Sequence, residues 1–241
     1  MPLDLSDYFT ETNEGISISQ QQASAFAKGV AGDFNPIHDI DAKRFCVPGD
    51  LLFSILLHKF GVSKNTHVEF SAMLGSDTLI PLPDTLSEQT ELADGEDKVY
   101  LTLTVSEPLE AGRDAVAELT EQYVMFSGST FPDILVELMR DHDVMINPDR
   151  PLVIYKDMGI RLRSLSDDPV ELSFTNAVMD VQGKKAQATL RFDITQKGQV
   201  IGEGEKNMLL GGLRGYDESA MQAIVEQYNE WKASYQNKNG A

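Results

Sequence analysis

Pro48-Gly49-Asp50-Leu51-Leu52-Phe53-Ser54-Ile55-Leu56-Leu57-His58-Lys59-Phe60-Gly61 is the stretch that decides the fold. Proline and glycine open it and Gly61 supplies a C-terminal stop, so the spacing predicts a helix between them. Leu51, Leu52, Ile55, Leu56 and Phe60 make an apolar face, and Phe53 and Leu57 widen it almost all round. A helix that apolar is a buried one. It needs cover on most sides, which a strongly curved antiparallel sheet wrapped around it provides.

Outward from this helix the chain reads as α+β. Ile16-Ser17-Ile18-Ser19 is a short strand or helix cap, followed by a helix from Gln20 to Val30. Val68–Leu74, Lys98–Ser106 and Ala115–Phe126 read as strands, and the acidic, turn-rich run from Pro81 to Asp97 as an exposed excursion. Phe131-Pro132-Asp133-Ile134-Leu135-Val136 starts a second apolar helix that ends near Arg140-Asp141-His142. Val153–Tyr155, Val170–Phe174, Ala186–Thr195 and Gln199–Met208 read as strands, with Gly183-Lys184 and Lys197-Gly198 at tight turns. A closing amphipathic helix from Asp217 to Tyr235 carries Met221, Ile224, Val225, Tyr228 and Trp231 on its apolar side, and residues 236–241 are expected to fray. Each half, 1–127 and 128–241, is then a long helix followed by antiparallel strands. The expected architecture is a tandem (double) hot-dog, curved antiparallel sheets each wrapped around a long central helix.

The chain has 241 residues, 41% of them apolar, and no window approaches the roughly 18 consecutive apolar residues of a membrane helix. Its acidic start, Met1-Pro2-Leu3-Asp4-Leu5, lacks the basic region of a secretory signal. Cys46 is the single cysteine, so no intramolecular disulfide forms, and a cytoplasmic location is expected. The net charge of -18 argues against nucleic acid and anionic membrane surfaces as partners. Residues 1–120 hold 7 Lys/Arg against 20 Asp/Glu, and residues 121–241 hold 13 against 18, so the second half is the better host for an anionic group. There is no Gly-rich phosphate loop, no Cys/His metal set and no Ser-centred nucleophile elbow, so neither metal nor cofactor is expected.

Chemistry concentrates in Gly32-Asp33-Phe34-Asn35-Pro36-Ile37-His38. This turn carries a carboxylate and an imidazole five residues apart, just before a helix start whose first N–H groups are bare. Imidazole titrates near neutrality, which suits a general base. The Gly49 or Asp50 N–H suits a carbonyl oxygen that gains negative charge, and glycine at 49 lets a ligand approach the backbone. His58 reads as a boundary residue, His67 and His142 as solvated, and Cys46 as a small buried residue.

The seven-residue string is similar to the motif of the MaoC-like, (R)-specific enoyl-CoA hydratases, hot-dog proteins. Met73-Leu74-Gly75-Ser76-Asp77-Thr78-Leu79 resembles that family's strand and Gly-x-Asp turn, and Arg191–Gly204 resembles its last hairpin. The chain also resembles an uncharacterised proteobacterial group of hot-dog proteins. The resemblance implies Asp33 and His38 as the catalytic pair of a hydratase or dehydratase, with Asn35 shaping the loop or helping to hold the water. Pro48-Gly49-Asp50-Leu51 stands where the family has a His-Gly-Met-like turn, which brings Gly49 and Asp50 into the substrate-binding set. Asp50 is unhelpful beside an oxyanion unless it points away. Arg161 and Arg163 share one strand face and, with Lys184 and Lys185, suit the phosphates of a coenzyme A or carrier arm. The expected ligand is an acyl-CoA or acyl-carrier thioester, handled by a monomer or homodimer. A non-catalytic acyl-binding module, an acyl-CoA thioesterase and a structural partner protein are the alternatives.

Overall fold

The computed structural model describes residues 3–128 and 130–239; Met1-Pro2 at the start and Gly240-Ala241, the end of the segment expected to fray, lie outside them. The fold is α+β around one large antiparallel sheet. In chain order the elements are β1 (Thr10–Thr12), β2 (Gly15–Ser17), α1 (Gln20–Phe26), α2 (Gly49–Phe60), β3 (Asn65–Phe70), β4 (Gln89–Ala93), β5 (Val99–Val105), α3 (Arg113–Ser127), α4 (Leu135–Asp141), β6 (Val144–Met145), β7 (Leu152–Leu162), β8 (Glu171–Gln182), β9 (Lys185–Gln196), β10 (Gln199–Gly211), β11 (Arg214–Gly215) and α5 (Glu218–Asn239). The main sheet has seven strands in the order β4-β5-β3-β7-β10-β9-β8. Strand β3 pairs antiparallel with β7, so the strands of both halves of the chain form one sheet.

Helix α2 is the buried helix that its composition demands. Every residue from Asp50 to Leu57 is buried, and the helix ends at Gly61 with φ +75°. It packs in a core that also takes Met158, Ile160, Leu162, Phe192 and Ile194 from β7 and β9. A second core, around Leu135, Met139, Met179, Leu190, Met208 and Met221, lies under α4 and α5. The β9–β10 turn has positive φ at both Lys197 and Gly198, the mirror-image turn that matches strand twist.

Three expectations differ from what is observed. Ala115–Phe126 is helix α3, not a strand. Its buried residues come as 115/116, 119/120 and 123/124, a four-residue beat that sets a helical face, whereas a strand needs a beat of two. The second apolar helix, α4, is only seven residues long, because the chain is kinked at Phe131 just before it. The two halves are therefore not alike: the first contributes three strands and the long helices α2 and α3 to the joint fold, the second four long strands. The excursion from Pro81 to Asp97 also contains edge strand β4, paired with β5.

Candidate active site

Residues 27–31 follow α1 as one wide turn, and Gly32, in the left-handed region at φ +65°, ends it. Asp33 then starts the motif loop. Its Oδ1 accepts a hydrogen bond from the Asn35 N–H at 2.9 Å, closing a local turn. Asn35 spends its side chain on shape: Oδ1 accepts from the Ile37 N–H at 3.3 Å, and Nδ2 donates to the Val153 carbonyl at 2.9 Å. The latter bond ties the loop to β7. His38 closes a short helical turn, Pro36–His38, and is buried. Its Nδ1 lies 2.7 Å from the Cys46 carbonyl, which only accepts, so Nδ1 carries a proton and Nε2 is the nitrogen that can serve as a base. That Nε2 lies 3.6 Å from Asp33 Oδ2.

Both side chains line one cavity of about 640 Å³, within the usual range for small-molecule sites. Its other walls are mostly apolar, including Leu52, Phe70, Leu74, Leu135, Val153 and Met208, and Trp231 of α5. Gly49, the first residue of α2, also lines it. Pro48, the residue before, supplies no side-chain cap, so the first N–H groups of α2 keep the helix's positive end open. A Cβ at Gly49 would stand 3.0 Å from the Phe70 ring and 3.2 Å from that of Tyr155, so glycine is what keeps this wall thin. The motif pair and the helix start therefore share one chamber.

Burial pushes the Asp33 carboxyl above its ordinary value. His38, the Asn35 N–H and the more distant Lys206 pull it back in part, and Asp50 adds to the rise. About a quarter of its side chain is accessible, but Asp33 is a wall of the cavity, which explains why desolvation dominates.

Asp50 is placed differently from the expectation. It does not line the cavity but is turned into the core, 1% exposed, with Oδ1 2.9 Å from the ammonium of Lys206, itself fully buried. Lys206 Nζ also donates to the Tyr123 carbonyl at 2.9 Å and to Ser127 Oγ, and stands 4.0 Å above the Tyr123 ring. Burial lowers the Lys206 pKa, while Asp50 and Asp33 act to hold its charge. The carboxylate that seemed ill-placed beside an oxyanion is thus neutralised away from it. Arg161 and Arg163 also fall outside the cavity. Both are exposed: Arg161 pairs with Glu203 at 2.9 Å and Arg163 donates to the Val200 carbonyl at 3.2 Å. Arg161 shares β7 with Tyr155 and Arg163 follows the end of that strand, but six residues at roughly 3.3 Å each put Arg161 far from Tyr155. Lys184 and Lys185 sit exposed at the β8–β9 turn.

His142 is exposed, as expected, and His58, read as a boundary residue, is exposed too, whereas His67 is paired with Asp157 across the sheet. Cys46 lines the cavity, and burial pushes its thiol up to about 11, so it remains an unreactive thiol. Sequence reasoning missed three side chains that line the cavity, Ser127, Tyr155 and Tyr228, and Lys206, which is buried behind Ser127. Tyr228 of α5 donates to the Gly32 carbonyl at 3.1 Å and accepts from the Phe34 N–H at 3.3 Å, clasping Asp33 from both sides. Tyr228 was legible only as part of an apolar helix face. The one signal for Lys206 was a cation in phase with Gly202 and Gly204, the inward positions before it in β10.

Among the described residues no group of His, Cys, Asp and Glu could hold a metal ion, and no helix is long and apolar enough to cross a membrane. A family model described as protein of unknown function (DUF3581) matches residues 3–219. The chain belongs to that family. No curated protein matches this DUF3581 member in sequence. Solved structures similar to it include an acyl-CoA thioesterase II, TesB2, from Mycobacterium marinum (10% identity, TM-score 0.39, 72% of this chain and 92% of that one). A TesB protein from Mycobacterium avium subsp. paratuberculosis follows (8%, 0.42, 68% and 87%). An oleoyl thioesterase from Lactobacillus plantarum is a third (8%, 0.37, 90% and 95%).

Proposed function

We propose that this DUF3581 member processes an acyl thioester in the cavity, with His38 and Asp33 activating a water molecule against it. The single observation that supports this reading is the meeting of three groups in one apolar chamber: a base with a free Nε2, a carboxylate 3.6 Å from it, and the open N-terminus of α2 at Gly49. The acyl chain lies among the apolar walls. The carbonyl oxygen faces the first N–H groups of α2, where negative charge is favoured. His38, its ring held at Nδ1 by the Cys46 carbonyl, takes the proton of the water on Nε2, and Asp33 orients that water and offsets the charge formed on the ring.

Hydrolysis is the reaction this set serves most directly. Water attacks the carbonyl carbon, the oxygen becomes anionic, and the carbon–sulfur bond breaks as the electron pair leaves on sulfur. A thiolate is a good enough leaving group to need no dedicated acid. A second reading, hydration of an α,β-enoyl thioester in the MaoC-like manner, is favoured by the raised pKa of Asp33. A carboxyl that holds its proton more tightly is able to deliver it to the α carbon after water attacks the β carbon. The tandem hot-dog architecture belongs to the same reading, with α2 as the central helix of the catalytic half and residues 128–241 closing the cavity.

The test is to incubate the protein with saturated and 2-enoyl CoA esters of several chain lengths, following free thiol and the loss of enoyl absorbance in parallel. Thiol release identifies hydrolysis and absorbance loss without thiol identifies hydration. In either case Asp33→Asn and His38→Ala should each lower kcat/KM by on the order of 10²–10⁴. Absence of both signals across the panel, or equal rates in the variants, would overturn the proposal.

A further inference from the structure

Ser127 is the last residue of α3, and it reaches the cavity because of how that helix ends. Gly128 follows it, and a Cβ there would stand 2.4 Å from the Ala31 carbonyl oxygen, so only glycine lets the end of α3 lie against the turn that carries Asp33. The hydroxyl of Ser127 is held from behind by two donors. Lys206 Nζ donates to its Oγ, and the Tyr155 hydroxyl donates to the same Oγ at 3.1 Å. A hydroxyl oxygen has two lone pairs, and both are used. The remaining group is the Ser127 proton, for which no acceptor stands among the described residues, on a side chain that lines the cavity.

We propose that Ser127 is a hydrogen-bond donor to the carbonyl oxygen of the acyl group, polarised by the Lys206 ammonium behind it. The inference deepens the acyl-thioester reading and rests on it. Lys206 cannot act as the base that would make Ser127 a nucleophile. Its three N–H donors are spent on Asp50, the Tyr123 carbonyl and Ser127 itself, and the carboxylate 2.9 Å away keeps it charged. A fixed positive charge behind an oxygen strengthens that oxygen's own O–H as a donor. The Tyr155 ring connects the two donor positions: its edge faces Gly49 and its hydroxyl meets Ser127. The Ser127 donor thus supplements the α2 N–H groups. Lys206 acts only through Ser127 and is a positioning residue.

The probe is a ketone analogue of octanoyl-CoA, with methylene in place of sulfur and carbon-13 at the carbonyl, which binds without being cleaved. Isotope-edited infrared difference spectra of the full chain should show the bound carbonyl band moved to lower frequency. That downshift should shrink in Ser127→Ala and be kept in Ser127→Thr. The double variant Asp50→Leu with Lys206→Met removes the buried pair as a unit and leaves Ser127 in place. It should bind the analogue and lose part of the shift, and it reads the same effect if Ser127→Ala does not fold. Turnover of the best thioester should fall about 10²-fold in Ser127→Ala, the usual order for one lost oxyanion donor. Binding with an unchanged carbonyl band in both Ser127→Ala and the double variant would overturn this inference and leave the acyl-thioester reading intact. Failure of the analogue to bind any form, with no thioester turned over, would overturn both.

Discussion

Asp50 and Lys206 show what a single buried charge requires. Lys206 is fully buried at an inward position of β10, and α2 brings Asp50 over it at 2.9 Å. Such a pair contributes little net stability compared with an apolar pair of the same size, but losing one partner strands the other in a medium that cannot solvate it. Asp50→Ala is therefore expected to destabilise the fold by about 3–5 kcal/mol, and Asp50→Leu with Lys206→Met by much less. Urea unfolding of the three proteins measures the difference, and a mild effect of Asp50→Ala would mean that Lys206 is neutral in the fold. The same pair matters to the site, since the Lys206 charge helps to hold down the raised pKa of Asp33.

At the level of elements, α5 acts as the clasp of the motif loop. Its apolar side covers the second core through Met221, and its Tyr228 hydroxyl bridges the Gly32 carbonyl and the Phe34 N–H. The rings of Phe34, Tyr228 and Phe131 add edge contacts at 5.8 and 5.0 Å. Tyr228→Phe keeps the rings but leaves the buried Phe34 N–H and the half-buried Gly32 carbonyl without their partner. The expected cost is about 1–3 kcal/mol, with a lower kcat/KM because the Asp33 turn is no longer pinned. Denaturant melts and thioester turnover, run together, check both. An unchanged kcat/KM would show that the loop holds its shape without α5.

Across the whole molecule, the joint between the halves is the β3–β7 pairing, and a titrating pair sits on it. His67 Nε2 on β3 lies 3.3 Å from Asp157 Oδ1 on β7, which also accepts from Asn207 of β10 at 2.7 Å. The Asp157 hydrogen bond raises the His67 pKa above its ordinary 6.5. Burial raises the Asp157 carboxyl, but the bonds from His67 and Asn207 outweigh it and leave it below its ordinary value. A histidine whose folded pKa is raised stabilises fully below 6.5, and that contribution is lost as pH rises through the raised value. The melting temperature should accordingly decline as pH rises from 6.5 through the raised value, and His67→Gln should flatten that decline. His67 is about two-fifths exposed, so the effect is modest and shrinks in high salt.

What the chain determined by itself is what a short window of residues can encode. Helix α2 was legible because its apolar residues run almost all round, which leaves burial as the only solution. The β9–β10 turn was legible from Lys197-Gly198, since only some residues accept positive φ. The pairing of Asp33 with His38 was legible because five residues on one bend leave little freedom. The tertiary structure decided the rest. Ala115–Phe126 became a helix because its paired apolar residues fit the surface offered by α2, and a mixed pattern of that length is open to either period. Ser127, Tyr155, Lys206 and Tyr228 took their roles from partners far away in sequence: Lys206 meets Asp50 across 156 residues and Tyr228 meets Gly32 across 196. No local preference specifies such contacts. They arise because a buried charge or hydroxyl must find a partner wherever the sheet and helices bring one within reach.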